Sequence, residues 1–284
     1  MGIKFLINQS EVNTVRPQGY RYPIGLSFGI KNRQDNAAID TTGGTQTIDG
    51  DNVVHSFTTS DTFTPNFTFP VELFMIGGGG GAAAQPYQQA VWSGAGAGGL
   101  IYISDYQVAQ SNSYYCEVGA GGASNLRGGN TKFANTYICD GGGGNGQPGG
   151  CGGGPGISTQ NTYGGLGYGT PGGTNSPSPG FVPGQGGGGG GVGQAGRPGP
   201  TGGYGGQGLW YSISGANTGY GGGSGGTFSN PAASPGQTSN PRVSGGIGVN
   251  IANRGSGGSN ASGSSGVIIL RYPLLQDSNG YFLE

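Results

Sequence analysis

Apolar residues fall in short runs along this chain, and none recurs at helical spacing over a useful length. Val53-Val54-His55-Ser56-Phe57-Thr58 and Thr62-Phe63-Thr64 are β-branched and aromatic, so they read as strands, with Ser60-Asp61 between them as a tight hairpin turn. Phe67–Ile76 is a longer strand that runs straight into glycine. Further strands are expected at Gly99–Ser104, Ser113–Val118, Thr131–Phe133 and Tyr137–Cys139. Gly266–Tyr272 contains Val267-Ile268-Ile269-Leu270, a run with no polar break that suits a central strand buried on both faces. The simplest topology pairs Val71–Ile76 with Val267–Tyr272 in one sheet. Between Asp140 and Ser265 the strand signal is weak, Leu209–Ser214 being the best of it.

The first fifty residues differ from the rest. Charge concentrates there (Lys4, Glu11, Arg16, Arg21, Lys31, Arg33, Asp35, Asp40, Asp49), with seven of the 71 glycines. Arg21–Ile30 alternates weakly, and Pro23 demotes it to an edge strand or an extended arm. Gln34–Asp51 is polar and turn-rich. The organisation expected is an attachment arm over 1–50, a glycine-rich domain over 51–273 and a tail over 274–284. Within the domain, 53–139 and 266–272 form a β framework and 140–265 a polyglycine region.

Glycine changes this picture most. Of the 71 glycines, 63 lie between Gly77 and Gly266, a stretch with only eight charged residues. Such composition ordinarily belongs to a flexible linker, because glycine loses the most backbone entropy on folding and has no side chain to bury. Collagen is excluded, since Gly186–Gly191 and Gly141–Gly144 break its strict three-residue repeat. Linkers, however, are poor in aromatics. This stretch carries Trp92, Tyr163, Tyr168, Phe181, Tyr204, Trp210, Tyr211, Tyr220 and Phe228 among others. Runs of bare glycine can take the three-residue-per-turn polyproline II helix and pack at backbone distance. The expected fold is therefore mainly β with packed polyglycine II helices. A small β-sandwich-like framework closes the helix lattice, and there is essentially no α-helix. The structural glycines of such a lattice would be Gly77, Gly78, Gly79, Gly80 and Gly81, and Gly186, Gly187, Gly188, Gly189, Gly190 and Gly191.

Candidate chemistry is sparse. A net charge of −1 and a pI near 5.8 leave no electrostatic footprint for nucleic acid, and no run of 18 apolar residues is available for membrane insertion. The start lacks the apolar stretch and cleavage site of a secretory signal, and Leu6 stands where a myristoylation signal has Ser or Thr. Cys116, Cys139 and Cys151 match no zinc spacing and read as buried or incidental thiols. His55, the one histidine, lies in a strand pattern and reads as a structural imidazole. No carboxylate pair is signalled, and Asp49-Gly50-Asp51-Asn52 reads as a turn, since no Glu follows at calcium-loop distance. Gly-x-Gly-x-x-Gly matches arise from composition alone. No enzyme activity, cofactor or metal is expected. The aromatics of the glycine region either plug gaps between helices or sit on connecting loops as a contact surface. On the second reading the candidate receptor-binding residues are Trp210 and Tyr211, then Trp92 and Tyr87, then Phe181.

An ordered succession of pieces carries a resemblance. Phe57-Thr58 and Phe63-Thr64 precede Phe74-Met75-Ile76-Gly77-Gly78-Gly79-Gly80-Gly81; Gly94-Ala95-Gly96-Ala97-Gly98-Gly99 follows, then Val118-Gly119-Ala120-Gly121-Gly122 and Gly128-Gly129-Asn130-Thr131-Lys132-Phe133. Gly263-Ser264-Ser265-Gly266-Val267-Ile268-Ile269-Leu270-Arg271-Tyr272 closes the series. Over roughly 53–273 this resembles the glycine-rich domain of bacteriophage tail and virion proteins. Its glycine tracts are similar to those of the distal tail-fibre adhesins of T-even-like phages, from which it departs in its short N-terminal arm and its C-terminal strand. The resemblance implies a virion structural protein, made in the host cytoplasm and displayed on the particle as a homo-oligomer. One expectation is a tail-fibre or receptor-binding adhesin whose loops meet a host surface glycan or outer-membrane protein. The alternative is a capsid-decoration or fibre-forming protein. In either case residues 1–50 would dock on other virion proteins.

Overall fold

Side chains alternate across a strand, and in β4 (Phe69–Ile76) this sorts them between two separate cores. The computed structural model describes residues 41–82, 91–92, 94–110, 112–154, 169–173, 189–198, 204–228, 251–258 and 262–274. The fold is mainly β, and no helix occurs among the described residues. β1 (Thr45–Asp49), β2 (Asn52–Phe57), β4, β6 (Leu100–Val108) and β13 (Val267–Pro273) form one antiparallel sheet in the order β1-β2-β13-β4-β6. β13 is central, as its apolar run demands, with Val267 opposite Ile76 and Leu270 opposite both Leu73 and His55. Its pairing with β4 is the one expected from the sequence.

A second sheet, in the order β3-β7-β8-β9, comprises β3 (Asp61–Phe63), β7 (Tyr114–Glu117), β8 (Thr131–Phe133) and β9 (Tyr137–Cys139). Its Phe63, Tyr114, Cys116, Phe133 and Cys139 share a core with Phe57, Leu73, Met75, Ile268 and Leu270 of the first sheet. Tyr114 and Phe133 stack at 5.6 Å, and Tyr106 meets Phe133 edge-on at 5.3 Å. On the other face of the five-stranded sheet, Val54, Phe74, Ile76, Val267 and Ile269 pack against Ala97, Cys151, Val192, Ile213 and Tyr220 of the glycine region. Each large apolar side chain so buried contributes about 1.5–3 kcal/mol.

Several expectations need correction. β2 and β3 are not a hairpin: β2 pairs with β1 and β13, while β3 pairs with β7 in the second sheet. Ser60 and Asp61 instead pin the crossing between sheets. The Ser60 hydroxyl accepts from Val118 N at 3.0 Å, and the Asp61 carboxylate accepts from Gly44 N and Thr62 N at 2.9 and 2.8 Å. Thr45–Asp49, inside the segment read as polar and turn-rich, is the edge strand β1, whose mostly exposed side chains hide the alternation. Gly50-Asp51 is the turn joining β1 to β2, as expected. β6 runs past Ser104 to Val108, because a bulge at Ser104-Asp105 opposite Glu72 shifts its register and lets it continue. Three short strands were not foreseen: β5 (Val91–Trp92), β11 (Thr218–Tyr220) and β12 (Thr227–Phe228). β11 pairs with β10 (Leu209–Tyr211), and β12 with β5.

The glycine tracts obey a three-residue period. Gly77 and Gly80 donate to Gly99 and Gly96 carbonyls (both 2.9 Å), Gly78 and Gly81 to those of Gly129 and Leu126 (3.0 and 2.9 Å), and Gly79 to Ser264 (2.8 Å). The direction a Cβ would take turns with the same period. Gly77 and Gly80 face the backbone of Asp140 and Gly143, Gly78 and Gly81 that of Ala120 and Ala123, and Gly79 that of Ser256. Gly77–Gly81 thus has backbone on six sides. The spacing recurs in Cys151 and Gly154, which donate to Ala97 and Gly94, and in Gly263 and Gly266, which donate to Gly122 and Gly119. Buried backbone is tolerable only when its donors and acceptors are paired, and this pattern pairs them.

Candidate binding surface

His55 is fully buried in β2, with Nδ1 2.7 Å from the Gly43 carbonyl and Nε2 3.0 Å from the Tyr272 hydroxyl. A carbonyl can only accept, so Nδ1 carries the proton and Nε2 accepts from Tyr272. Burial holds the imidazole pKa below its usual value, against the opposing pull of the Gly43 carbonyl, and pushes the Tyr272 phenol up to about 12. Phe63 meets the imidazole edge-on at 5.2 Å. With both nitrogens engaged inside the core, this ring holds the sheets in place. Cys116, Cys139 and Cys151 are free and buried, and burial raises all three thiol pKa values, so they are inert packing groups.

The aromatic candidates separate. Trp210 and Tyr211 lie together on β10 of the β10–β11 hairpin and point to opposite sides of it. Tyr211 turns toward the five-stranded sheet, its ring 4.9 Å from Phe74 and 5.5 Å from Tyr102. Trp210 is 57% exposed and lies across from Gly219, which offers no side chain to cover it. Trp92 is on β5, opposite Thr227, beyond the far end of the 94–99 tract. Tyr87, Phe181, Gly186, Gly187 and Gly188 lie outside the described residues. Gly77–Gly81 and Gly189–Gly191 are buried, and a Cβ on any of them would meet backbone.

Arg271 clasps the hairpin to the sheet. Its guanidinium donates to the Ser212 carbonyl at 3.0 Å and pairs with Asp49 at 3.1 Å, and its Nε is 4.0 Å from Glu72. Glu72 in turn accepts from the Tyr102 hydroxyl at 2.7 Å; burial and that carboxylate push the Tyr102 phenol up to about 12. Below the clasp, Ile213 is buried against the sheet.

Two features carried no sequence-level candidate. Tyr204, 37% exposed, has the Arg197 guanidinium 5.7 Å from its ring centroid; an aromatic set among glycines was the available signal. The other is the polarity of the glycine region. The 77–81 tract continues β4, 119–122 continues β7 and 141–144 continues β9, while 94–99, 126–130 and 263–266 lead into β6, β8 and β13. Their remote ends share a level: Gly81 donates to Leu126, Gly258 to Gly80 and Gly263 to Gly122, at 2.8–2.9 Å. The turns Ala123–Leu126 and Gly144–Gln147 close there, away from the sheets.

A mainly β framework continuous with backbone-packed glycine tracts defines the class of this protein, and the comparison with known families agrees. The family model for the glycine-rich domain matches residues 58–273, and the chain belongs to that family. No curated protein matches it.

Proposed function

We propose that this chain is a non-enzymatic structural protein of a bacteriophage virion, a tail-fibre or receptor-binding adhesin that holds its binding residues on packed polyglycine II helices. Supporting the helices is the three-residue period of donors and of Cβ directions, the geometry of a three-residue turn. Supporting a small β-sandwich-like closure is the core shared by the two sheets. The observation that carries the functional reading is the polarity of the glycine region. The two main sheets sit at one end of these tracts, and turns, connections and the short β5–β12 pair gather at the other. A rigid scaffold with its connections at one end is suited to display. Commitment of the lone histidine to core packing favours a protein without catalysis.

On this reading residues 1–50 dock on other virion proteins and the chain assembles as a homo-oligomer. It is made in the host cytoplasm, and its aromatic surface meets a host glycan or outer-membrane protein. No nucleic acid, membrane insertion, cofactor or metal takes part. Electron microscopy of particles bearing a gold label on this chain tests the proposal. Label at the tail tip is the expected result. Label spread over the capsid replaces the adhesin with a decoration protein, and absence from purified particles removes the virion assignment.

A further inference from the structure

Among the described residues, tract 204–208 has backbone neighbours on two of its sides. Gly205 and Gly208 face the backbone of Gly223 and Tyr220. Gly206 faces that of Gln194 and Gly191, and Leu209, three residues on, places Cδ2 where a Cβ on Gly193 would reach. Tyr204 and Gln207, three residues apart in this tract, are exposed, and Leu209 and Trp210, where β10 begins, extend the exposed row. At about 3.1 Å per residue, Tyr204 and Gln207 stand about 9 Å apart. The adjacent tract, held by bonds from Arg197 N to Tyr204 O (2.7 Å) and Gly193 N to Gln207 O (2.9 Å), adds exposed Gln194 and Arg197 beside the row. Within 204–208, glycine therefore occupies the covered positions, and the side chains of Tyr204 and Gln207 the exposed ones.

We propose that this row is a binding site for an acidic polysaccharide, one bearing carboxylate or phosphate groups. The proposal rests on the adhesin reading and deepens it by naming the ligand class and adding Tyr204, Gln207 and Arg197 to Trp210. Aromatic faces stack on the C–H faces of sugar rings, and the amides of Gln207 and Gln194 can bond hydroxyls in either sense. Among the described residues no carboxylate forms an ion pair with Arg197, whose guanidinium over Tyr204 keeps its N–H fork for an anion. A protein partner is a poorer fit, because a stable interface takes about 800 Å² per side around an apolar centre, and this is a narrow row. Nucleic acid is poorer still, since the row offers one cation on a chain of net charge −1.

The test is retention of the full chain on immobilised polygalacturonate, poly(glycerol phosphate) and neutral dextran, with adsorption to a panel of bacterial cells run in parallel. Retention on at least one of the two acidic polymers and not on dextran is expected, and which of them retains the chain separates a carboxylate from a phosphate ligand. Tyr204→Ala and Trp210→Ala should each weaken retention at least tenfold with unchanged melting temperature, both side chains being at the surface. Arg197→Gln should abolish the preference for acidic polymer over dextran. Equal retention on dextran, variants that bind like the parent, or equal competition by duplex DNA overturns the proposal. The two readings fail separately. Cell adsorption that survives all three variants removes the polysaccharide site and leaves the adhesin, whereas polysaccharide retention with no adsorption to any cell leaves the site and removes the adhesin.

Discussion

The two faces of the five-stranded sheet exclude water by opposite means. On one, Phe57, Leu73, Met75, Ile268 and Leu270 meet Phe63, Tyr114 and Phe133, and side chains fill the space. Beyond the other, past a thin layer that includes Phe74, Ile269 and Tyr220, the interior is peptide backbone packed on peptide backbone. The first is held by removal of apolar area from water, about 25 cal/mol per Å². The second has little such area, so its stability rests on close contact and on backbone amide pairing between tracts, each pair being worth about 0.5–1.5 kcal/mol net. The lesson is an inversion of tolerance: the side-chain core should be sensitive to lost volume, and the glycine region to gained volume.

The sharpest break of this contrast is Gly79→Ala. The added methyl points into the Ser256 carbonyl, which is backbone and cannot swing aside, and Gly79 sits amid six neighbouring stretches. Separating them would unpair several buried amides at about 1–3 kcal/mol each, which rivals the whole stability of a domain. Loss of soluble folded protein, read by expression and circular dichroism, is the expected outcome. A variant that melts like the parent would mean the tracts are loosely held and the contrast is void.

The counterpart in the other direction is Ile269→Ala, which removes volume from the central strand. Ile269 is buried beside Phe74, and deletion of such a side chain costs about 2–5 kcal/mol. Chemical denaturation should show a lower midpoint with an unchanged slope. Fast amide exchange at Ile268–Leu270 in the parent would contradict a central strand.

Acid should act on the side-chain core first. His55 has a folded-state pKa depressed by burial, so the folded state binds fewer protons than the unfolded chain. Its contribution to stability is complete above the unfolded value near 6.5 and is lost as pH falls from there through the folded value. Melting temperature should decline between pH 7 and pH 5, and the decline should flatten in His55→Gln. Since this is the only histidine in the chain, an equal slope in the variant would place the titration elsewhere.

The β framework was legible because its strands carry their own signal. Val267–Leu270 and Val71–Ile76 are apolar enough to demand burial, and both pair as the pattern required. What failed was partner choice where the local cue was ambiguous. Ser60-Asp61 has hairpin-turn composition, yet its side chains bond Val118, Gly44 and Thr62 and carry the chain to another sheet. β1 was illegible because an edge strand need not alternate when most of its side chains meet solvent. At the candidate surface, Trp210 could be singled out by residue type, but its row with Tyr204 and Gln207 could not. That row depends on which side chains the neighbouring tracts at Gly191–Gln194 and Tyr220–Gly223 leave exposed, and such packing is not written in the local pattern.

The smallest effect isolates why the glycines are needed. Gly50, in the β1–β2 turn, has nothing within 4 Å of the position a Cβ would take, but its φ is +58°. Gly79 is the reverse, with ordinary φ and no room. Gly50→Ala should therefore cost only the left-handed backbone penalty, about 1–2 kcal/mol, a shift in melting temperature of roughly 2–6 °C for a domain of this size. Gly50→Asn should lose less, because asparagine tolerates that region. If Gly50→Ala proved as damaging as Gly79→Ala, contact would not explain the difference, and backbone conformation would have to account for the glycines of both regions. If Gly50→Ala is mild and Gly79→Ala is not, the requirement for glycine in the tracts lies in the distance between neighbouring backbones.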